Sequence, residues 1–531
     1  MSEANEANEE NKDSTETGEA VLLGQGTFGE VYLQHGYAYK VCALLHTKES
    51  STGKTHVLVD NVIREAVFYS CLKSASDDTL TSKMFQNPPP CIPQAEVMCR
   101  DHHVALKMKN LGTTLYGLRQ QSKAVTGRLF GELLLGLVWL HTRGWTHGDI
   151  KPANLLLSPA AQPSLVAPQP LETPQASLTL IDYGSMMFSS FFTLEYQRCT
   201  LYYVSPEELL KHQSSPKTDM WSFGAVLFEY VTGHYFIVEL MKFLKINADT
   251  INAFCDHVND EELREFNSKQ YLIQLYSGLL YSQIVGMLYK VIKDRAVLSV
   301  LCHCMMMDPH IRTTATRLLA YEGLFSNFKE RYQQYVWDWK SFHNTISTYD
   351  GELELSYAVS TASVASQERM LLVYKICSIF DQLEQDDLLT YPTLMLFDRF
   401  SFRRQQAHHT LDQSPDIHKA AYLMFSVFIT LMLHKGYTLS LEELQRFFDE
   451  PIAAYKLMGL LEQFIRVMDF KLFGCDPCSA YALQQSLTDH ERTGLVSKMH
   501  KLQYKWLEVC TQHPLIHNEL PGVYKKMWGG E

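Results

Sequence analysis

Asp149, Lys151 and Asn154 stand close together in the stretch Thr146-His147-Gly148-Asp149-Ile150-Lys151-Pro152-Ala153-Asn154. A carboxylate, an ammonium and a carboxamide in one loop are the set needed to take a proton from a hydroxyl, steady a γ-phosphate and hold a metal ion. Two further stretches extend that chemistry. Leu23-Gly24-Gln25-Gly26-Thr27-Phe28-Gly29-Glu30-Val31 places glycines where backbone N–H groups can approach phosphates with no Cβ in the way. Glu30-Val31-Tyr32-Leu33 reads as a strand and His35-Gly36 as a tight turn. The glycines therefore belong to a hairpin lid, not to the strand–helix junction that dinucleotide binding needs. Leu180-Ile181-Asp182-Tyr183-Gly184 reads as a buried strand that ends by presenting a second carboxylate.

These pieces resemble the protein kinases. The Asp149 loop is similar to their catalytic loop H-R-D-L-K-P-x-N, with Gly148 where Arg is usual. Tyr37-Ala38-Tyr39-Lys40-Val41 resembles V-A-I-K, and Asp182-Tyr183-Gly184 resembles D-F-G. Cys199 to Glu207 looks like the end of an activation segment, with S-P-E for A-P-E. Lys217 to Gly224 resembles the D-x-W-S-x-G start of the central helix, and Asp308 to Arg312 the late motif whose arginine pairs with Glu207. The matches run in order over residues 20–325.

The resemblance implies ATP and Mg2+ as cofactors and assigns roles. Gly24, Gln25, Gly26, Thr27, Phe28, Gly29, Val31 and Ala38 would line the nucleotide. Lys40 would contact its α- and β-phosphates, paired with Glu65 in the helical pattern Val62 to Phe68. Met108 would stand at the back of the adenine pocket, with the backbone of Lys109 and Leu111 bonding the adenine edge. Asp149 would serve the acceptor hydroxyl, Lys151 would neutralise γ-phosphate charge, and Asn154 and Asp182 would hold Mg2+. One Asp and one Asn supply hard oxygen ligands, which suit that ion. Asp219 would hydrogen-bond the catalytic-loop backbone. Lys151, two residues after Asp149, resembles the D-x-K-x-x-N of serine/threonine kinases and implies serine or threonine rather than tyrosine as acceptor, while the S-P-E segment and the Glu207–Arg312 pair imply protein substrates.

The elements that must position these residues follow from periodicity. A long apolar helix over residues 127–141 delivers the Asp149 loop, and the segment from Val104 to Gly112 reads as a strand running into a hinge. The expected fold is α+β: by the kinase resemblance a bilobal protein-kinase fold, followed by an all-α helical domain. Its divisions are an acidic tail (1–19), an N-lobe (20–112), a C-lobe (113–335) and the helical domain (336–531). The tail is Glu- and Asn-rich and reads as disordered. A proline-rich insertion lies between Asn154 and Asp182 and reads as an exposed loop.

Composition narrows the partners. The chain has 531 residues and a formal net charge of -12, so neither nucleic acid nor an anionic membrane is an expected partner. No stretch is apolar for ~18 consecutive residues, and Ala420 to Leu433 reads as a buried helix. With no secretory signal, the 12 cysteines read as reduced thiols and the location as intracellular, cytoplasmic or nuclear. Cys475-Asp476-Pro477-Cys478 and Cys302-His303-Cys304 lack a matching second pair, so zinc is not expected.

The last third reads as helical almost throughout, and parts of it resemble a cyclin box. Thr390 to Phe400 looks like the helix ending in L-D-R-F. Tyr422 to Lys435 is similar to the central apolar helix, Leu439 to Leu444 to the short helix after it, and Asp469 to Pro477 to the close of the box. In a cyclin a lysine and a glutamate face the kinase. Lys435 matches the lysine, and Glu462 lies one residue out of register with the glutamate. The resemblance implies an intramolecular contact with the helix carrying Glu65 and activation in cis. Gly148 implies less control by loop phosphorylation. Glu195, five residues before Thr200, stands where cyclin-dependent kinases carry a threonine and reads as a fixed negative charge toward Arg64. These departures point to a divergent lineage of viral type. The rival readings are a pseudokinase scaffold that binds partners through its helical domain, and a kinase of small molecules.

Overall fold

The computed structural model describes residues 20–26, 29–50, 53–73, 84–115, 123–157, 177–188, 200–257, 264–321, 323–337, 366–385, 389–406, 416–437, 440–448 and 451–472. The chain forms two compact units. The first takes in residues 1–86, 94–109 and 338–531, the second residues 87–93 and 110–337.

The first unit begins with strands β1 (Val21–Gly26), β2 (Gly29–Gln34) and β3 (Tyr37–Ala43), followed by the hairpin β4 (Leu45–Ser50) and β5 (Gly53–Leu58). Helix α1 (Asp60–Lys73) and strands β6 (Glu96–Arg100) and β7 (His103–Lys109) follow. The main sheet is antiparallel in the order β1-β2-β3-β7-β6. Its register sets Val31 opposite Lys40, Ala38 opposite Met108, and Gly29 opposite Cys42. Gly29 is required there, because an added Cβ would run into Cys42 Sγ and the Val41 carbonyl. The hairpin β4–β5 was not foreseen from the sequence.

Helix α1 carries Asp60 in its first turn and Lys73 in its last, each complementing the helix dipole. Every residue from Val62 to Leu72 is buried. A helix that lies on a sheet normally keeps one wet face. The C-terminal helices account for the other face: α13 (Asp416–Lys435) packs on α1, α14 (Leu441–Gln445) on β5, and α15 (Ala454–Met468) on β6. Within that bundle, α11 (Ser366–Gln382) and α12 (Thr390–Gln406) complete the helices, and Phe400, Tyr422 and Phe464 form its aromatic centre with Phe400 stacked on Phe464 at 4.5 Å. The sequence division placed an all-α domain from residue 336 onward, in contact with the helix carrying Glu65. In the structure these helices share one unit with the N-terminal sheet. The physical reason is that α1 presents apolar residues all round and needs cover on both sides.

The second unit is mostly helical. It contains β8 (Thr113–Thr114), α2 (Lys123–Thr142), β9 (Trp145–Thr146), β10 (Leu155–Leu157), β11 (Leu178–Leu180) and β12 (Met187–Phe188). After these come α3 (Pro206–Lys211), α4 (Pro216–Thr232), α5 (Phe236–Phe243), α6 (Ala248–His257), α7 (Arg264–Gly278), α8 (Tyr281–Val291), α9 (Arg295–Cys304) and α10 (Ala315–Tyr321). Helix α2 starts about one turn before the predicted Gly127. Helix α4 is delimited by its sequence: a Ser215–Thr218 capping box and Pro216 open it, and left-handed Gly233 closes it. Two small antiparallel sheets, β11-β10-β8 and β12-β9, flank the Asp149 loop. Residues 124–142 and 417–434 are long and apolar enough to cross a membrane by length and composition, but both are mostly buried within the fold.

Candidate active site

In the second unit the Asp149 loop runs between β9 and β10, so both of its ends are held by strand pairing. Asp149 is the hub. Lys151 Nζ lies 2.7 Å from its Oδ2, Asn154 Nδ2 donates to the same oxygen at 3.1 Å, and the Thr200 hydroxyl donates to Oδ1 at 3.0 Å. Lys151 also donates to Thr200 Oγ1 at 3.3 Å. Three groups thus hold the carboxylate, leaving it little freedom to rotate. Thr200 was quoted in the activation-segment match but given no role, because nothing in local spacing ties a hydroxyl to a carboxylate fifty-odd residues earlier.

The loop backbone is fixed from below. Buried Asp219, on α4, accepts from the N–H groups of His147 at 2.8 Å and Gly148 at 2.9 Å, and contacts His141 Nε2 at 2.9 Å. His147 is fully enclosed, and burial lowers its pKa despite the nearby carboxylates Asp219, Asp149 and Asp182. Its Nδ1 accepts from the Asp149 N–H, so the proton sits on Nε2 and reaches the Ile181 carbonyl at 3.1 Å. That neutral ring ties the Asp149 loop to the strand bearing Asp182. Asp182 itself is left-handed, with φ 64°. This backbone is uncommon outside glycine and clusters at functional sites. Tyr183 is buried where the family pattern has Phe, and its hydroxyl is satisfied by the Leu180 carbonyl at 3.0 Å.

Gly148 occupies a position with φ +80°, and a Cβ there would stand 2.7 Å from the Ser185 carbonyl oxygen. Further along, Glu207 and Arg312 form a buried bidentate pair at 2.5 and 2.9 Å. Arg312 donates its remaining N–H groups to the carbonyls of Met306 at 2.9 Å, Lys217 at 2.7 Å and, more weakly, Met307 at 3.5 Å, so the pair is solvated by protein. The neighbouring Glu208 has its pKa raised well above the usual carboxylate range by burial.

The first unit holds the other named residues. Lys40 Nζ lies 2.7 Å from Glu65 Oε2, with Glu65 buried and Lys40 partly exposed. The pair joins β3 to α1. Gly24, Gln25 and Gly26 lie on β1 and Gly29 and Val31 on β2, in one antiparallel hairpin with no following helix. Thr27 and Phe28 lie outside the described residues. Ala38 and Met108 are register partners in the interior of the sheet. Lys109 ends β7 at the boundary of this unit, and Leu111 belongs to the second. Glu195 lies outside the described residues, and Arg64, its supposed partner, is ion-paired with Asp60 on the same helix at 2.5 Å.

Asp182 and Asn154 fit a hard cation. Asn154 spends its Nδ2 on the Asp149 carbonyl and carboxylate, which leaves Oδ1 as its acceptor. Among the described residues no group of three or more His, Cys, Asp or Glu forms a metal centre. Both donors are oxygens, the type a hard cation takes.

Residues 18–322 match the family model described as Protein kinase domain. The chain is 26% identical over 220 residues to the Dual specificity protein kinase YAK1 homolog of Arabidopsis thaliana, covering 40% of this chain and 20% of that protein. It is 25% identical over 241 residues to Mitogen-activated protein kinase 12 of Danio rerio, covering 44% and 60%. It is 36% identical over 122 residues to the DNA damage response protein kinase DUN1 of Saccharomyces cerevisiae, covering 22% and 23%. The chain thus spans between a fifth and three-fifths of the length of these relatives.

Proposed function

The chain belongs to the protein kinase family, and from that premise we propose that it is a serine/threonine protein kinase moving the γ-phosphate of ATP to a protein hydroxyl. The observation that carries this reading is the Asp149–Lys151–Thr200 network. A carboxylate held by an ammonium and a hydroxyl can orient an acceptor O–H and receive its proton as the new O–P bond forms and the bond from the γ-phosphorus to the leaving ADP oxygen breaks. Lys151 stays beside it to offset the charge of the migrating phosphoryl group. Bound Mg2+, held by Asp182 and Asn154, would neutralise phosphate charge during transfer. In the first unit the β1–β2 hairpin offers backbone donors to the nucleotide, and the Lys40–Glu65 pair keeps an ammonium ready for its phosphates.

The C-terminal helices are read as a cyclin-like element that acts in cis. Support comes from α1, which carries Glu65 and is buried around its whole circumference. Fully burying an apolar side chain of this helix, such as Val62 or Ile63, is worth about 1.5–3 kcal/mol. A covalently attached cover has a high effective concentration for that surface.

The test is γ-phosphate transfer from ATP with Mg2+ to Ser, Thr and Tyr peptide libraries, with Asp182→Asn as control. Transfer to Ser and Thr that the substitution abolishes is the expected result. Nucleotide binding without transfer would instead support a scaffold. Labelling confined to tyrosine would overturn the serine/threonine assignment.

A further inference from the structure

The Lys40–Glu65 pair depends on two carriers, the sheet that bears Lys40 and the helix that bears Glu65. One C-terminal helix reaches both. Glu462, on α15 and 9% exposed, accepts the backbone N–H of His102 at 2.9 Å, and its Oε2 is also 2.9 Å from His102 Nδ1. His102 and Asp101 form the turn between β6 and β7, both left-handed. From that turn β7 runs back alongside β3, with Leu106 opposite Lys40. The carboxylate therefore grips the end of the strand pair that holds the lysine.

The turn just past α15 grips the other carrier. The Asp469 carbonyl accepts the Ser70 hydroxyl at 2.8 Å, and Ser70 is buried on α1 five residues after Glu65. Asp469 is left-handed at the C-cap, and the preceding Met468 carbonyl is held by Arg403 of α12 at 2.8 Å, so the turn is itself anchored. The surroundings agree with close packing at both ends. Burial, then the Glu462 charge, pushes the Cys99 thiol on β6 up to about 12. Burial also pushes Cys71, at the end of α1, up to about 12, against the opposing charges of Arg399 and Lys471.

We infer that Glu462 is a positioning residue for phosphoryl transfer: with the Asp469 turn it makes α15 a brace that fixes the sheet bearing Lys40 and the helix bearing Glu65 at one separation. The inference rests on the kinase reading and names the contact through which the C-terminal helices act. Glu462 touches no nucleotide; it works through the His102 turn, β7 and β3. Arg466, one turn along α15 and 3.6 Å from Glu462, is largely exposed and adds little to the grip.

The experiment compares the full-length wild-type chain with Glu462→Ala and Glu462→Gln. Alanine removes the acceptor, while glutamine keeps an oxygen for the His102 N–H. Glu462→Ala is expected to lower kcat roughly five- to thirtyfold, within the range of ordinary coupling between sites. KM for ATP should move much less, because Lys40 matters most as phosphate charge shifts in the transition state. Glu462→Gln should recover most of the loss. A merely structural role would lower the melting temperature of the alanine variant but leave kcat per folded molecule unchanged, and that result overturns the inference. A second readout needs no activity: the rate at which an amine reagent labels Lys40, followed by mass spectrometry with exposed Lys211, on α3 of the second unit, as internal reference. Release of Lys40 from Glu65 should speed its labelling several-fold in Glu462→Ala, whereas an unchanged ratio sinks the brace. If the wild-type chain transfers no phosphate yet the labelling ratio responds, the kinase reading fails and the brace stands.

Discussion

The two halves of the proposed phosphotransfer machinery are held in different ways. In the second unit, Asp149, Lys151, Asn154 and Asp182 are organised by a continuous piece of chain: Asp219, His147 and Thr200 all lie within residues 147–219. In the first unit, the carriers of the Lys40–Glu65 pair are held by contacts between residues 360 and 399 positions apart in sequence, His102 with Glu462 and Ser70 with Asp469. The difference teaches where control can enter. A site built from its own neighbourhood is preorganised whenever that neighbourhood folds. A pair whose carriers are gripped by a distant helix can be released by loosening that grip alone.

The largest effect tests the self-contained half. Asp149→Asn should lower kcat on the order of a hundred- to ten-thousandfold in the peptide transfer assay, with an unchanged melting temperature. A mild loss would mean that the hub is not where the proton goes, and the comparison would lose its chemical basis.

Arg312→Ala comes next. It leaves Glu207 buried without its cation and should cost about 3–5 kcal/mol in denaturant unfolding. Hydrogen exchange should show protection lost over α3 and α4 and kept in α1. Equal loss in α1 would break the claim that the two halves are held separately.

Gly148→Arg restores the residue usual in the family but places a side chain at φ +80° against the Ser185 carbonyl. The expected outcome is a destabilisation of about 1–3 kcal/mol by thermal melting. A variant as stable as wild type would show that the loop is less rigid than its Asp219 anchor implies.

The smallest effect sharpens the braced half. Ser440 caps α14, accepting from the Glu443 N–H while Glu443 accepts from the Ser440 N–H at 2.9 Å. Ser440→Ala should cost about 1 kcal/mol. Because α14 packs on β5 and does not touch the Glu462 contact directly, Lys40 labelling should not change. A change would spread the brace over the whole helical face.

Much of the second unit's site was legible in the sequence. Asp149, Lys151 and Asn154 fall within six residues, so a loop of ordinary geometry must bring them near one another. The roles of Asp219 and of the Glu207–Arg312 pair were also reached through resemblance, and the structure places both sets of bonds. Other features were not legible. Thr200 joins Asp149 only after the intervening chain has folded back. The hairpin β4–β5 has weak alternation and its Ser-Ser-Thr-Gly turn looks like any polar loop. Glu462 was noted for being out of register with the family's glutamate, and its actual partner, the backbone of a turn, leaves no trace in side-chain identity.

The sequence by itself pointed to the groups proposed to carry the chemistry and determined the local elements that present them, because turn residues, strand alternation and helical periodicity are properties of short windows. A contact of the C-terminal helices with the Glu65 helix was expected from resemblance; only the tertiary structure decided that α14 and α15 also pack on β5 and β6, and that α1 is enclosed on every side. That choice is made by the burial of complementary apolar faces. Periodicity reveals that such faces exist, but which face meets which depends on the shape and area of surfaces hundreds of residues apart.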